Sequence, residues 1–534
     1  MQRRMQPKRG RLGRRELLLG GAAALAGCSA RRGTSGSRPN ILFAFADDQS
    51  WPHAGALGDR VVHTPAFDRV AREGVLFTHS FCAAPSCTPS RSAVLTGRHL
   101  WQVEEGGVLY GTLPPKYPLY THLLEDAGYY TGYTGKGWGP GDWRAAGLSR
   151  SPTGKQYRER RMPAPIPEGI NKLDYAGNFA DFLDGRPAGA PFCFWFGSTE
   201  PHRIYQNGIG LQSGKKLEEV AVPPFWPDVE VVRGDILDYY CEIEWFDAHL
   251  ASMIARLEKA GELDNTLIVV TSDNGMPFPR AKVNLYDWGL RMPLAIRWGS
   301  RISGGRIVDD LVSHVDFAPT FLGAAGIEAP REMAGRSLLP LLTSTNAGIV
   351  EPDRDQVHAA LERHTLCRPH NATYPIRSIR TREFLYLRNF EPDRWPTGGP
   401  TFVSSNKTYH GDVDACPTKS FMVDEANQRR YPREYDLCFG KRPSEELYAV
   451  NSDPGQIHNL ASDPGHREIK QQLRDRLEAY LKQTGDPRIE GRDPWQGYLY
   501  RQNTGSGRTP RRDVRGDRQR GNISFSSSGD GRRP

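Results

Sequence analysis

The chain has 534 residues, 38% of them hydrophobic and 10% aromatic, with a formal net charge of +8; this ordinary globular composition can fill one large core or two unequal ones. The positive charge lies at the ends: +9 in residues 1–38 and +6 in 501–534, against −7 in between. The basic balance is therefore no evidence for a nucleic-acid-binding body, and no nucleic-acid partner is expected.

Near the start, Arg14–Arg15 precede a short apolar run, Leu17 to Ala26, too short to span a bilayer. This reads as a twin-arginine export signal. The run ends in Leu25-Ala26-Gly27-Cys28, which resembles a bacterial lipobox with Cys28 as the lipidated residue. An ordinary signal cut nearby is the alternative. The expected location is the periplasm or a membrane-anchored lipoprotein, touching the membrane only through the lipid. Residues 1–38 are thus read as signal and linker, and the apolar-poor residues 501–534 as a disordered basic tail.

The first body element is a continuous apolar run, Asn40 to Ala46, ending abruptly in Asp47-Asp48, as a buried parallel strand with carboxylates at its end would. Next comes Cys87-Thr88-Pro89-Ser90-Arg91. Pro89 suits the first turn of a helix, with Cys87 just before it facing backbone N–H groups that hold oxyanions well. The thiol could be packed, disulfide-bonded, nucleophilic, or the precursor of another group. The pattern from Asp235 to Ala260 predicts a helix, and Thr266 to Thr271 a second buried strand running into Ser272-Asp273-Asn274-Gly275.

Strands alternating with helices argue for an α/β sheet, which binds ligands beyond the carboxyl ends of its strands. Asp47, Asp48, Asp273 and Asn274 could then meet at one site. Their oxygen donors suit Ca²⁺ or Mg²⁺ rather than zinc, although either pair alone could be a turn or a helix cap. The other cysteines of the body form no CxxC pair or Cys/His cluster, which gives no support for zinc and leaves disulfides open. After Thr343 shorter β-like runs begin, such as that from Tyr374, followed by a helix over Glu468 to Gln483. The expected division is a catalytic domain over 39–345 and a smaller subdomain over 346–500.

Cys-x-Pro-Ser-Arg followed by Thr96-Gly97 resembles the signature of the type I sulfatases, and the likeness extends over most of residues 39–465. NILFAFADDQ and TSDNG resemble the family's two metal strands. Lys282 with LYDWGLRMPLAIRW, then VSHVDFAPTFL, GRSLLPLL and ELYAVNSDPGQIHNLASDP, follow in the family's order. The resemblance implies an alkaline-phosphatase-like fold: a large mixed, mainly parallel sheet flanked by helices, with a smaller C-terminal α+β subdomain. It implies that Cys87 is converted to formylglycine by a formylglycine-generating enzyme. Ca²⁺, ahead of Mg²⁺, would be held by Asp47, Asp48, Asp273 and Asn274 beside residue 87. Arg91 would stabilise the formylglycine oxygen, Lys136 matches the lysine of the family's Gly-Lys-x-His segment, and His202 and Lys282 match residues that bind the sulfate and assist the leaving group. Where many members have the histidine of that segment, this chain has Trp138; His314 and His364 are candidates to replace it.

SDNGMPFP followed by NLY, EPHR, and YPIRS after Tyr374 resemble the N-sulfoglucosamine sulfohydrolases. This implies a heparan-type glucosamine N-sulfate as substrate. Glu362, Arg363 and His364, shortly before that last segment, are candidate sugar contacts, with a solvated turn as the alternative. Three other readings remain: an O-sulfatase on another sulfated polysaccharide, a phosphoesterase on the same scaffold, and a sulfated-glycan-binding relative without turnover. Phosphoesterases of that scaffold use Ser or Thr with two zinc ions and several His ligands, which Cys87 and an oxygen-rich site oppose.

Overall fold

Asn40–Ala46 (β1) lies at the centre of the main sheet in the computed structural model, which describes residues 38–404 and 408–502. All seven of its residues are buried. Ile41, Phe43 and Phe45 enter one hydrophobic cluster, while Leu42, Ala44 and Ala46 enter another on the opposite face. A strand covered on both faces needs apolar residues at every position, which is why the run does not alternate. Each large side chain so buried contributes about 1.5–3 kcal/mol.

The other strands of this sheet are β2 (Val75–Phe81), β3 (Tyr130–Gly135), β4 (Lys155–Gln156), β5 (Phe192–Gly197), β6 (Thr266–Ser272), β7 (Arg291–Arg297), β8 (Arg306–Val308) and β9 (Val312–Ser313). Their order is β4-β3-β5-β1-β6-β7-β2-β8, with β9 also paired to β2. Every pairing is parallel except the two that β7 makes, with β6 and β2. The sheet is thus mixed and mainly parallel, as the resemblance implied. On one face, the helix Glu230–Lys259 packs Phe246, Leu250, Met253, Ile254 and Leu257 against it, beside Phe67 and Val70 of α1 (Pro65–Glu73). On the other, Val94 and Leu95 of α2 (Cys87–Thr96) meet Phe317 and Phe321.

A second sheet, β10 (Gln356–Leu361), β11 (Ile376–Thr381), β12 (Phe384–Asn389) and β13 (Glu445–Ala449), is antiparallel throughout. Leu473, Leu477 and Leu481 of the helix Arg467–Gln483 cover one of its faces, packing against Ala360, Ile379, Tyr386 and Leu447. Arg380 on β11 holds Asp287 of the main body with two hydrogen bonds of 3.0 and 2.9 Å.

Three boundaries differ from expectation. The long helix begins at Glu230, five residues before Asp235, because Val232 finds a buried place and Arg233 secures the turn on Asp228 and the carbonyls of Leu217 and Val220. Cys87 is the first residue of α2 rather than the residue before it. Arg501, assigned above to the tail, is bound to the body: its N–H donates to the Tyr110 carbonyl at 3.0 Å and its side chain to Glu105 at 2.6 Å. The remaining tail, Arg14–Arg15 and Cys28 lie outside the described residues. The seven described cysteines are all free.

Candidate active site

Four adjacent parallel strands end at one place. β3 leads into Lys136, β5 towards His202, β1 into Asp47-Asp48 and β6 into Asp273-Asn274. β2 points the same way and leads to Cys87 at the head of α2. The register aligns Ala46 with Ser272, so the acidic pairs emerge side by side, and the Asp48 N–H donates to Asp273 Oδ1 at 3.0 Å. Asp48 has φ of 72°. In a continuing strand, consecutive side chains would point to opposite faces; this left-handed residue breaks the alternation, the kind of local strain found at functional sites.

Lys136 Nζ reaches both oxygens of Asp47, at 2.6 and 2.5 Å, and Cys87 Sγ lies 3.6 Å from Asp47 Oδ1. Arg91, fully buried, donates from Nε to Asp273 at 2.8 Å and from Nη1 to the carbonyls of Lys136 and Gly137 at 3.0 and 2.9 Å. It ties the first turns of α2 to the end of β3. Asp48 accepts from Asn274 Nδ2 at 2.6 Å and from Lys282 Nζ at 2.7 Å. All five residues expected to carry the chemistry and all four oxygen ligands therefore converge.

The electrostatics match that crowding. Burial pushes the Asp47 carboxyl up, but Lys136, then Arg91 and His202, outweigh it and hold the group far below the usual range. Burial, reinforced by the Asp47 charge, pushes Asp273 up to about 7. Among the described residues Asn274 Oδ1 is buried beside these carboxylates without a hydrogen-bond partner, and every candidate donor of the acidic pairs is an oxygen. That set fits a hard divalent cation. Burial also pushes the Cys87 thiol up, against the pull of Lys136; it is not poised as a thiolate nucleophile.

On the other side of Asp48, His202 donates through Nδ1 to the Arg203 carbonyl at 2.7 Å and presents Nε2 3.7 Å from Asp48 Oδ2. A carbonyl can only accept, so Nδ1 carries a proton. Lys282 bridges Asp48 to Asp414, which lies 3.1 Å from its Nζ. Sequence reasoning missed Asp414: it stands in the unremarkable run DVDACP and arrives by tertiary packing alone. It also missed Tyr500, which shares a small cluster with Cys87 and Leu109.

Trp138 is nearly buried, donating through Nε1 to Ser92 on α2 at 2.9 Å. Of the two substitute histidines, His314 lies under the site against Phe45 and Phe317, its Nδ1 3.4 Å from Ser90 Oγ. His364 is at the site itself, with Nδ1 2.8 Å from the hydroxyl of Ser86, the residue that precedes Cys87. The expectation for Glu362 is corrected. It is fully buried, and its two oxygens are taken by Arg377 at 2.7 Å and Arg488 at 2.6 Å, leaving it no face for a sugar. Arg363 differs: Nη1 donates to the Tyr498 carbonyl at 2.7 Å, but the buried Nε and Nη2 have no hydrogen-bond partner among the described residues.

Residues 39–327 match the model of the sulfatase family, and residues 281–393 match that of the N-sulphoglucosamine sulphohydrolase C-terminal region. An ulvan-active sulfatase of Formosa agariphila is 28% identical over 454 residues, covering 84% of this chain and 81% of that one. Human N-sulphoglucosamine sulphohydrolase is 29% identical over 507 residues, covering 84% and 91%. A solved structure in complex with its substrate D-glucosamine-2-N,6-O-disulfate superposes with a TM-score of 0.61 at 21% identity, over 86% of this chain and 100% of that one.

Proposed function

This chain belongs to the sulfatase family, and we propose that as a sulfuric ester hydrolase it removes sulfate from a sulfated saccharide, with the N-sulfate of glucosamine as its substrate. The observation that carries the reading is Cys87 at the head of α2, 3.6 Å from Asp47 in the oxygen-lined pocket. Support for the N-sulfate comes from the match of residues 281–393 and the likeness to the human sulphohydrolase.

The family generally uses formylglycine and a divalent metal. Here formylglycine at position 87 would supply the hydroxyl nucleophile, and Ca²⁺ on Asp47, Asp48, Asp273 and Asn274 would supply charge to balance the sulfuryl oxygens. The chain's own residues do the rest. Lys136 and Arg91 bring fixed positive charge to the position-87 side of the pocket, where it acts without reorganisation in a water-poor setting. Lys282 stands on the far side of Asp48 with N–H groups for the departing nitrogen or oxygen, and His202, whose Nδ1–H is engaged by the Arg203 carbonyl, can donate there only when Nε2 also carries a proton. His202, a third exposed, is the most accessible of these four side chains to a saccharide.

The test is sulfate release by protein co-produced with a formylglycine-generating enzyme, offered glucosamine N-sulfate or glucosamine 6-O-sulfate. Release from the N-sulfate alone is expected. Release from the 6-O-sulfate alone would keep the chemistry and replace the substrate, a result that the likeness to an ulvan-active sulfatase would accommodate. For location, we propose twin-arginine export and lipidation at Cys28; replacement of Cys28 by Ala should move the protein from the membrane to the soluble fraction.

A further inference from the structure

We propose that Asp414 reads the sugar position next to the scissile sulfate, accepting a hydrogen bond from a free hydroxyl there and turning away a second sulfate. The inference rests on the sulfatase reading and deepens it.

Asp414 stands where the leaving group must depart. One oxygen each of Asp48 and Asp414, with a ring nitrogen of His202, lie within 4.8 Å of one another. Asp414 Oδ2 accepts from Lys282 at 3.1 Å, whereas no described residue hydrogen-bonds to Oδ1. The side chain is a quarter exposed, so that oxygen is open to a ligand.

Its position is built rather than incidental. The preceding stretch is fixed by Asp412, which accepts from the Thr365 N–H and hydroxyl at 2.7 Å each and from Arg368 at 3.0 Å. Lys419 adds a hydrogen bond to the Val413 carbonyl at 2.7 Å. After Asp414, Thr418 donates to Asp235 at 2.6 Å, and the same carboxylate holds Arg203, the neighbour of His202. Asp414 and His202 are thus set by one shared anchor.

A carboxylate held this way can only accept hydrogen bonds, and it repels an anion. The Lys282 charge does not cancel that repulsion, because Asp48 shares it. A group built to pair with a hydroxyl discriminates strongly against a substrate that replaces the hydroxyl by a negative charge.

The test measures binding by calorimetry in Cys87→Ala protein, alone and combined with Asp414→Asn or Asp414→Ser. The probes are glucosamine N-sulfate, glucosamine 6-O-sulfate and D-glucosamine-2-N,6-O-disulfate. The better-bound monosulfate should exceed the disulfate by about tenfold or more, and both substitutions should shrink that gap to about twofold. Because the gap is a ratio, partial loss of folded protein does not move it. Equal binding of the three by Cys87→Ala protein, binding of none, or a gap unchanged by either substitution would overturn the proposal. If the loaded enzyme cleaves the 6-O-sulfate instead, the substrate reading fails while the gap still decides the role of Asp414.

Discussion

Arg203 holds Asp235 through two parallel hydrogen bonds, Nη1 at 2.7 Å and Nη2 at 2.9 Å, both partners buried. Asp235 belongs to the helix Glu230–Lys259, and it also receives the Thr418 hydroxyl. Replacing Asp235 by Ala leaves the guanidinium without its charge partner, a loss of about 3–5 kcal/mol. Sulfate release should fall more than the folded fraction does, since His202 and the 414 stretch both lose their tether. Denaturant unfolding together with steady-state kinetics separates the two losses. Activity that merely tracks folded protein would show the tether to be structural only.

Metal removal tests the oxygen-lined pocket independently of turnover. Ca²⁺ at about 100 times its Kd should stabilise the folded chain by about 2.7 kcal/mol if it binds only that form. Asn274→Ala should lose most of that increment, because it deletes the buried, unpartnered Oδ1. Thermal unfolding with and without Ca²⁺ gives the answer, and an unchanged calcium increment in the variant would remove Asn274 from the ligand set.

Much of this site was legible because its residues sit where chain pattern and position coincide. Asp47 ends an apolar run and Asp273 follows one after Thr271-Ser272, and such a run is a buried strand whose end opens on the ligand edge. Cys87 and Arg91 share one helix turn, so a local motif captures both. Asp414 had no such signal: it belongs to no periodic element, and its place depends on Asp412, Lys419 and Thr418 finding partners far away in sequence. Glu362 misled for the converse reason. Its neighbour His364 reaches the site, but Arg377 and Arg488 claim Glu362 first.

Trp138 carries a structural role where many sulfatases place a histidine. Its indole packs in the main hydrophobic cluster and donates to Ser92. Trp138→Phe should keep activity and cost about 1 kcal/mol for the lost hydrogen bond. Trp138→Ala should cost about 3–5 kcal/mol through the cavity. Loss of turnover in a folded Trp138→Phe protein would instead assign the indole N–H a part in the reaction.

Glu242 predicts the alkaline limb of stability. Burial, with Glu200 and Asp238 adding to it, pushes its carboxyl up to about 9 from the ordinary 4.5, and its Oε2 has no hydrogen-bond partner among the described residues. The folded chain therefore binds this proton more tightly than the unfolded chain. The associated stabilisation is complete below about pH 4.5 and is lost as pH rises towards 9, at up to about 1.4 kcal/mol per pH unit. Glu242→Gln reproduces the neutral shape without a titrating group. It should match the parent chain below about pH 4.5, be more stable at neutral pH by up to about 3 kcal/mol, and flatten the decline between pH 4.5 and 9. Denaturant titrations at several pH values measure both slopes; parallel curves for the two proteins would show that Glu242 is already ionised in the folded state.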